Sequence, residues 1–187
     1  MTLFSLGLII FFVPHLVTAV ARGAREKAIA KLGAGPYKGV YSLISALGLV
    51  LIVMGWPSAD TTVIYTSPDW MRHIVQLLML ISLILLASAY APKGKIAAAV
   101  KHPMLASVKI WAFAHFLVNG DVRSLLLFGA FLTYAVIDRI AVKRRGAPVP
   151  AAGPAINDLY AIGIGVAAWA AVYFFLHRYI AGVPLRA

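Results

Sequence analysis

The sequence predicts an all-α protein, a polytopic membrane bundle of about six transmembrane helices. Hydrophobic residues make up 62% of the 187 residues and charged residues only 12%, whereas soluble domains contain about 45–50% and about 25% of each. Several stretches of about 17–20 residues contain no acid or base, and an α-helix of that length crosses about 30 Å of hydrocarbon. Lipid is therefore the expected solvent for most of the chain.

Six hydrophobic runs account for the predicted helices, and each is bounded by charge or by glycine and proline. The fourth run is the weakest, because it is short and contains Lys109. A very tight turn separates it from the fifth, so these two runs could also form a hairpin that does not reach the outer surface. The runs are Thr2–Ala21, Tyr37–Trp56, His73–Ala91, Met104–Val118, Leu125–Val142 and Leu159–Leu176.

The last run follows a loop rich in proline and alanine, and it carries two local signals. Asn157 or Asp158 stands where a residue that caps the helix N-terminus is expected. Gly163, Ala167 and Ala171 form a stripe of small residues, and such stripes let helix backbones approach closely. We expect that stripe to face protein rather than lipid.

Basic residues concentrate in the loops after the first, third and fifth runs. The positive-inside rule places these loops in the cytoplasm and both termini in the periplasm, as in a bacterial inner-membrane protein. The net charge of +11 therefore reflects membrane topology rather than nucleic-acid binding. The bases are Arg22, Arg25, Lys27, Lys31 and Lys38 in the first of these loops, Lys93, Lys95 and Lys101 in the second, and Arg139, Lys143, Arg144 and Arg145 in the third.

Ionisable residues inside membrane helices are costly and are the first candidates for function. Several have a structural explanation as well. Lys109 is close enough to its helix end to extend its amine toward the membrane surface. Asp138 is adjacent to Arg139, with which it would form an interfacial charge pair, and His177 would interact with a helix C-terminus. The candidates are His15, His73, Lys109, His115 and Asp138, with His102 and His177 at helix ends.

Two of these histidines have the most suggestive surroundings. His15 directly follows Pro14, which removes a backbone donor and is expected to kink the helix beside the imidazole. His115 has Trp111 and Asn119 one helical turn to either side, which would give it an aromatic wall and an amide. A hydrogen bond to a neighbouring helix explains His15 equally well, and from the pattern alone it is the favoured explanation of His115.

The chain contains no cysteine, which excludes disulfides, thiolate metal sites and covalently attached c-type haem. Several histidines and few acids favour a metal held by imidazoles. Haem b fits this donor set, because it is apolar, needs one or two axial imidazoles and binds between the helices of a bundle. Copper or a proton relay would also use histidine.

A family resemblance adds to this picture. Residues 101–121 (KHPMLASVKIWAFAHFLVNGD), followed by 125–132 (LLLFGAFL), resemble the signature of the NnrU family. Residues 39–48 and 70–73 are similar to that family as well. The resemblance implies a single NnrU-like domain over residues 1–187, in a bacterial membrane protein linked to nitrite and nitric oxide metabolism in denitrification.

The family is in turn similar to the plant 15-cis-zeta-carotene isomerase, a membrane protein with non-covalent haem b. That similarity implies His115 and His15 as the haem ligands, with Ala112 at the place of the isomerase's cysteine. In the predicted topology, however, the two histidines differ in depth by roughly 10 Å. His73, and behind it His102, are therefore alternates for the second ligand.

Three functions follow as hypotheses. The first is a haem b protein that acts in nitrogen-oxide metabolism by electron transfer or sensing. The second is a haem-dependent cis–trans isomerase for a carotenoid-type substrate, and the third is a non-catalytic assembly factor. The expected partners are the lipid bilayer, haem and an apolar substrate or membrane redox partner, with no nucleic acid.

Overall fold

The computed structural model describes residues 1–183 and 185 and is predominantly α-helical, which confirms the predicted fold class. A π-helical turn, Val172–Leu176, joins the last two helices into one span. The helices are α1 Thr2–Val20, α2 Arg22–Leu32, α3 Ala34–Gly55, α4 Met71–Tyr90, α5 Lys95–Val100, α6 Pro103–Val118, α7 Val122–Arg144, α8 Ala155–Ala171 and α9 His177–Ala181.

All six predicted runs are helical. Within the described part of the chain, five spans are long and apolar enough to cross a membrane, and α6 is a shorter apolar helix, in line with the weakness of the fourth run. Helices α2 and α5 were not predicted, because their bases mark loops. Both are nevertheless built largely from alanine, lysine and other strong helix formers, which favour a helix wherever the backbone is free to adopt one.

The chain divides into two compact units. Unit 1 comprises Met1–Ser67 and Asn119–Ala147, and there α1 packs against α3 and α7. Unit 2 comprises Pro68–Val118 and the chain from Pro148 onward, and there α4 packs against both α6 and α8. The single NnrU-like domain over residues 1–187 stays a prediction.

Glycines bring α1 and α3 into backbone contact in unit 1. A Cβ atom added to Gly7 would lie 2.5 Å from the backbone nitrogen of Ile52. A Cβ atom added to Gly48 would lie 2.6 Å from the backbone nitrogen of Phe11. The two helices can therefore cross this closely only because these positions carry no side chain.

In unit 2, a row of small residues on α8 faces α4, but it is not the predicted one. Ala161 is buried, and a Cβ atom added to Gly165 would lie 2.5 Å from Cα of Ile84. Gly163 and Ala167 are exposed, so the predicted stripe that begins at Gly163 was wrong. Small residues occupy several rows of this helix, and only packing decides which row is buried.

The predicted cap of α8 was also wrong, because Asn157 and Asp158 lie inside the first turn of that helix and bond to a different segment. The carboxylate of Asp158 accepts hydrogen bonds from the backbone N–H groups of Lys95, at 3.0 Å, and Ile96, at 2.9 Å. The amide of Asn157 donates to the carbonyl of Lys93 at 2.9 Å. These residues therefore cap α5 and fasten it to α8.

The loop before α4 is held to the start of α7 by backbone pairing within unit 1. Val63 and Asp121 form an antiparallel bridge, and the N–H of Ile64 donates to the carbonyl of Gly120 at 2.7 Å. Asp121 also caps α7, because its carboxylate accepts from the N–H of Ser124 at 3.1 Å and from its hydroxyl at 2.6 Å.

Candidate histidine sites

His115 lies near the end of α6 with its ring partly buried. Its Nδ1 is 2.8 Å from the carbonyl oxygen of Trp111. A carbonyl can only accept, so Nδ1 donates, and in the neutral ring the lone pair is on Nε2. Histidines that bind metals usually have this arrangement, with the other ring nitrogen donating to a carbonyl or carboxylate.

The neighbours of His115 agree only partly with the sequence analysis. The Trp111 ring lies 5.3 Å from the imidazole, centroid to centroid, at an angle of 50°, so the predicted aromatic wall is present. Asn119 lies beyond the end of α6 at Val118, and the helix therefore does not present it as the predicted same-face neighbour. Its role as a site residue stays a prediction.

His15 occupies an aromatic environment in unit 1. Its Nδ1 is 2.6 Å from the carbonyl oxygen of Phe11, and the Phe11 ring stacks on the imidazole at 4.3 Å. The rings of Tyr41 and Tyr134 lie 5.1 Å and 5.4 Å away. As in His115, donation from Nδ1 leaves the lone pair of the neutral ring on Nε2.

Asp138 lies four residues after Tyr134 on α7, in the same unit as this aromatic environment. Its carboxylate lies 4.0 Å from the guanidinium of Arg145, seven residues further along the chain. The predicted pairing with the adjacent Arg139 was therefore wrong. Successive residues of a helix point in different directions, whereas residues seven apart share a face.

Two of the remaining candidates lie at helix starts. His73 is exposed in the first turn of α4. His102 lies in the turn before α6, as predicted, and its carbonyl accepts the N–H of Ala106 at 3.1 Å. Lys109 is partly buried on α6, and the expected extension of its amine to the membrane surface stays a prediction.

His177 begins α9, directly after the π-helical turn. Its Nδ1 is 2.8 Å from the carbonyl oxygen of Val183, to which the chain returns through a left-handed Gly182 with φ of 74°. Four residues earlier, the ring of Tyr173 stacks on Trp169 at 5.1 Å. This turn was not predicted, because a π-helix has no pattern of residue types that distinguishes it from an α-helix.

The structure brings some candidates together and keeps others in separate units. His115 and His177 both belong to unit 2, while His15 belongs to unit 1. Across residues 1–183 and 185, no group of three or more His, Asp or Glu side chains could hold a metal ion.

Outside the spans, two loop residues have shifted pKa values. Hydrogen bonds from the side chain and backbone of Thr62 lower the pKa of Asp60, the backbone bond measuring 2.8 Å. Partial burial, followed by the nearby carboxylate of Asp121, raises the pKa of Tyr65. Both groups belong to the loop that is paired with the start of α7.

A known protein family matches nearly the whole of this chain. Residues 3–185 match the family described as NnrU protein. The chain belongs to the NnrU family. The match includes all of α2 to α9 and all of α1 except Thr2, which confirms the membership inferred from the residues around His115. Neither the curated proteins nor the solved structures contain a match to this NnrU-family chain. Together with the five long apolar spans, membership makes it a multi-pass membrane protein.

Proposed function

We propose that this NnrU-family protein binds haem b and acts in nitrite and nitric oxide metabolism at the bacterial inner membrane, by electron transfer or sensing, with His115 as an iron ligand. The observation that carries the proposal is the hydrogen bond from Nδ1 of His115 to the carbonyl of Trp111, at 2.8 Å. It orients the ring and leaves the basic nitrogen at Nε2, the atom with which His115 would hold the haem iron.

The residues present fit haem better than an isolated metal ion. A porphyrin supplies four nitrogen ligands, so the protein needs to supply only one or two imidazoles. Among the described residues, no group of three or more His, Asp or Glu side chains could hold a metal ion. The chain also contains no cysteine, so the haem would be held without a covalent bond to the protein.

The protein's own contribution at this site is orientation and basicity. The carbonyl of Trp111 accepts the Nδ1 proton of His115 and so raises the electron density of the ring as a ligand. The indole ring beside it limits rotation of the imidazole. Haem, when bound, supplies one-electron chemistry and affinity for nitric oxide. His15 has the same local hydrogen bond, and its predicted role as a second ligand stays a prediction.

The test is the visible absorbance spectrum of protein purified from haem-replete cells. We expect a Soret band in the wild type and in His73→Ala, a matched control in an exposed histidine. We expect His115→Ala to lose most of the band, because it removes the ligand. A colourless wild type, or a His115→Ala variant with an unchanged spectrum and haem content, would contradict the proposal.

A second measurement tests the nitrogen-oxide part of the proposal separately. Deletion of the gene in a denitrifying host is expected to slow the consumption of nitrite or nitric oxide, and the wild-type gene should restore it. The His115→Ala gene should fail to restore consumption while the protein reaches normal levels in the membrane. Full consumption in the deletion strain would remove this role and leave haem binding intact.

A further inference from the structure

Contacts across α4 fix how its two neighbours run in unit 2. On the α6 side, the hydroxyl of Ser82 donates to the carbonyl of Ser107 at 2.9 Å, and near the other end of α4 the hydroxyl of Tyr90 reaches the sulfur of Met104 at 3.5 Å. As α4 advances, α6 therefore runs backward, and the two helices are antiparallel.

On the α8 side, Gln76 donates to the hydroxyl of Tyr173 at 3.5 Å, and Gly165 packs against the backbone of Ile84. Both contacts give the same register, because Ile84 lies eight residues after Gln76 on α4 and Gly165 lies eight residues before Tyr173. Helix α8 is therefore also antiparallel to α4, so α6 and α8 run in the same direction.

This register places two histidines at the same depth. His115 is eight residues beyond Ser107, or about 12 Å along the helix axis, which is the level of residue 74 of α4. His177 is four residues beyond Tyr173, or about 6 Å, which is the level of residue 72. Measured from the contacts of Ser82 with Ser107 and of Gln76 with Tyr173, the backbones of the two histidines therefore differ in depth by about 3 Å.

The two imidazoles also share the same hydrogen-bond pattern, in which Nδ1 donates to a backbone carbonyl. The Nδ1 atom of His177 donates to the carbonyl of Val183 at 2.8 Å, just as Nδ1 of His115 donates to Trp111. Each neutral ring then has its lone pair on Nε2. The π-helical turn before His177 adds one residue to a helical turn, which rotates His177 relative to an uninterrupted α-helix, and such turns are frequent at functional sites.

We infer that His177 is the second residue that would hold the haem iron, together with His115, an assignment that rests on the proposed haem site. Both ligands then come from unit 2, and the histidine of α1 is not needed. With both imidazoles holding it, the haem would supply low-spin iron suited to one-electron transfer rather than to binding a gas. The pairing therefore favours electron transfer over sensing.

The experiment compares axial ligation in three variants with that of the wild type, by absorbance and electron paramagnetic resonance of the oxidised protein. We expect low-spin iron in the wild type, in His15→Ala and in His73→Ala. His177→Ala should retain haem but become high-spin, and added imidazole should restore the low-spin spectrum. His73→Ala is the matched control, because His73 lies at a similar depth on α4.

A further variant guards against misfolding of His177→Ala. In His177→Met we expect haem to remain low-spin with a raised reduction potential, since a thioether replaces an imidazole as ligand. Low-spin iron in His177→Ala, or high-spin iron in the wild type, would overturn the assignment while haem binding stands. A high-spin His15→Ala variant would also overturn it and favour the ligand implied by the isomerase resemblance. A wild type without haem would remove both proposals.

Discussion

Three histidines of this chain have their proton position set by a nearby carbonyl. In His15 and His115 the acceptor is the residue four positions earlier in the same helix, and in His177 it is Val183, beyond the helix end. Such local bonds satisfy one ring nitrogen without a neighbouring helix. The helix–helix hydrogen bond weighed from the sequence is therefore unnecessary for Nδ1, and the chemistry of each ring depends on Nε2.

The sequence predicts the position of a residue along its own helix, but not its depth relative to residues of neighbouring helices. The register of α4 against α6 and α8 depends on contacts such as the one between Ser82 and Ser107, which no sequence pattern indicates. His177 was therefore assigned a purely structural role. The identities of His115 and Trp111 as neighbours, by contrast, follow from a spacing of four residues and were predicted correctly.

Asp158 is expected to contribute to stability although it lies far from the candidate ligands. Replacing it by alanine removes the acceptor for two backbone N–H groups of α5 and should cost about 1–2 kcal/mol. Thermal unfolding in detergent measures the effect. Asp69→Ala is the control, since that carboxylate pairs with Arg72 at an exposed site. Equal melting temperatures for the two variants would refute the capping role.

Asp60 provides a prediction of pH dependence. Because the Thr62 hydrogen bonds lower its pKa, the stabilisation that they provide is present above the ordinary aspartate pKa and is lost as the pH falls through the lowered value. Carbon-13 NMR of the carboxyl group should therefore give a midpoint below 3.8. Thr62→Val should raise the midpoint and Thr62→Ser should not, whereas equal midpoints in both variants would contradict the role of the hydroxyl.

At the scale of helices, long apolar runs were predictable and short polar helices were not. A run such as Thr2–Ala21 is decided by hydrophobicity alone, because lipid requires every backbone group to be bonded within the helix. Helices α2 and α5 lack that constraint, and their formation depends on context. The buried row of small residues on α8 was predicted wrongly because both rows look alike in the sequence. Ala161 and Gly165 are no smaller than the residues of the exposed row.

The crossing of α1 and α3 gives a prediction at this scale. Gly48→Ala places a Cβ atom 2.6 Å from the backbone of Phe11, so the helices must separate, at a cost of about 1–3 kcal/mol. Gly39→Ala is a control in the same helix, where nothing lies within 4 Å of the added atom. Unfolding by denaturant in mixed micelles should separate the two variants. Equal stability would mean that α1 and α3 do not cross as described.

At the scale of the whole molecule, the amino-acid composition was enough to predict that the protein lies in a membrane. The distribution of basic residues predicts which of its loops face the cytoplasm. Each unit contains segments from both halves of the chain. In unit 1, α7 packs against α1 although α2 to α6 lie between them in the sequence. Such pairing between distant segments has no local signal. The pairing of distant helices can be seen only in the packed structure, whereas the side of the membrane on which each loop lies is predicted by its charge.

The orientation can be tested with single cysteines, because the natural chain has none. Thr61→Cys and Thr66→Cys are exposed in a loop expected in the periplasm, and Gly23→Cys and Ala151→Cys are exposed at positions expected in the cytoplasm. A membrane-impermeant maleimide should label the first pair in intact spheroplasts and the second pair only after lysis, because the positive-inside rule retains the basic loops. The cysteine-free protein controls for background. Labelling in the reverse order would show that both termini are cytoplasmic.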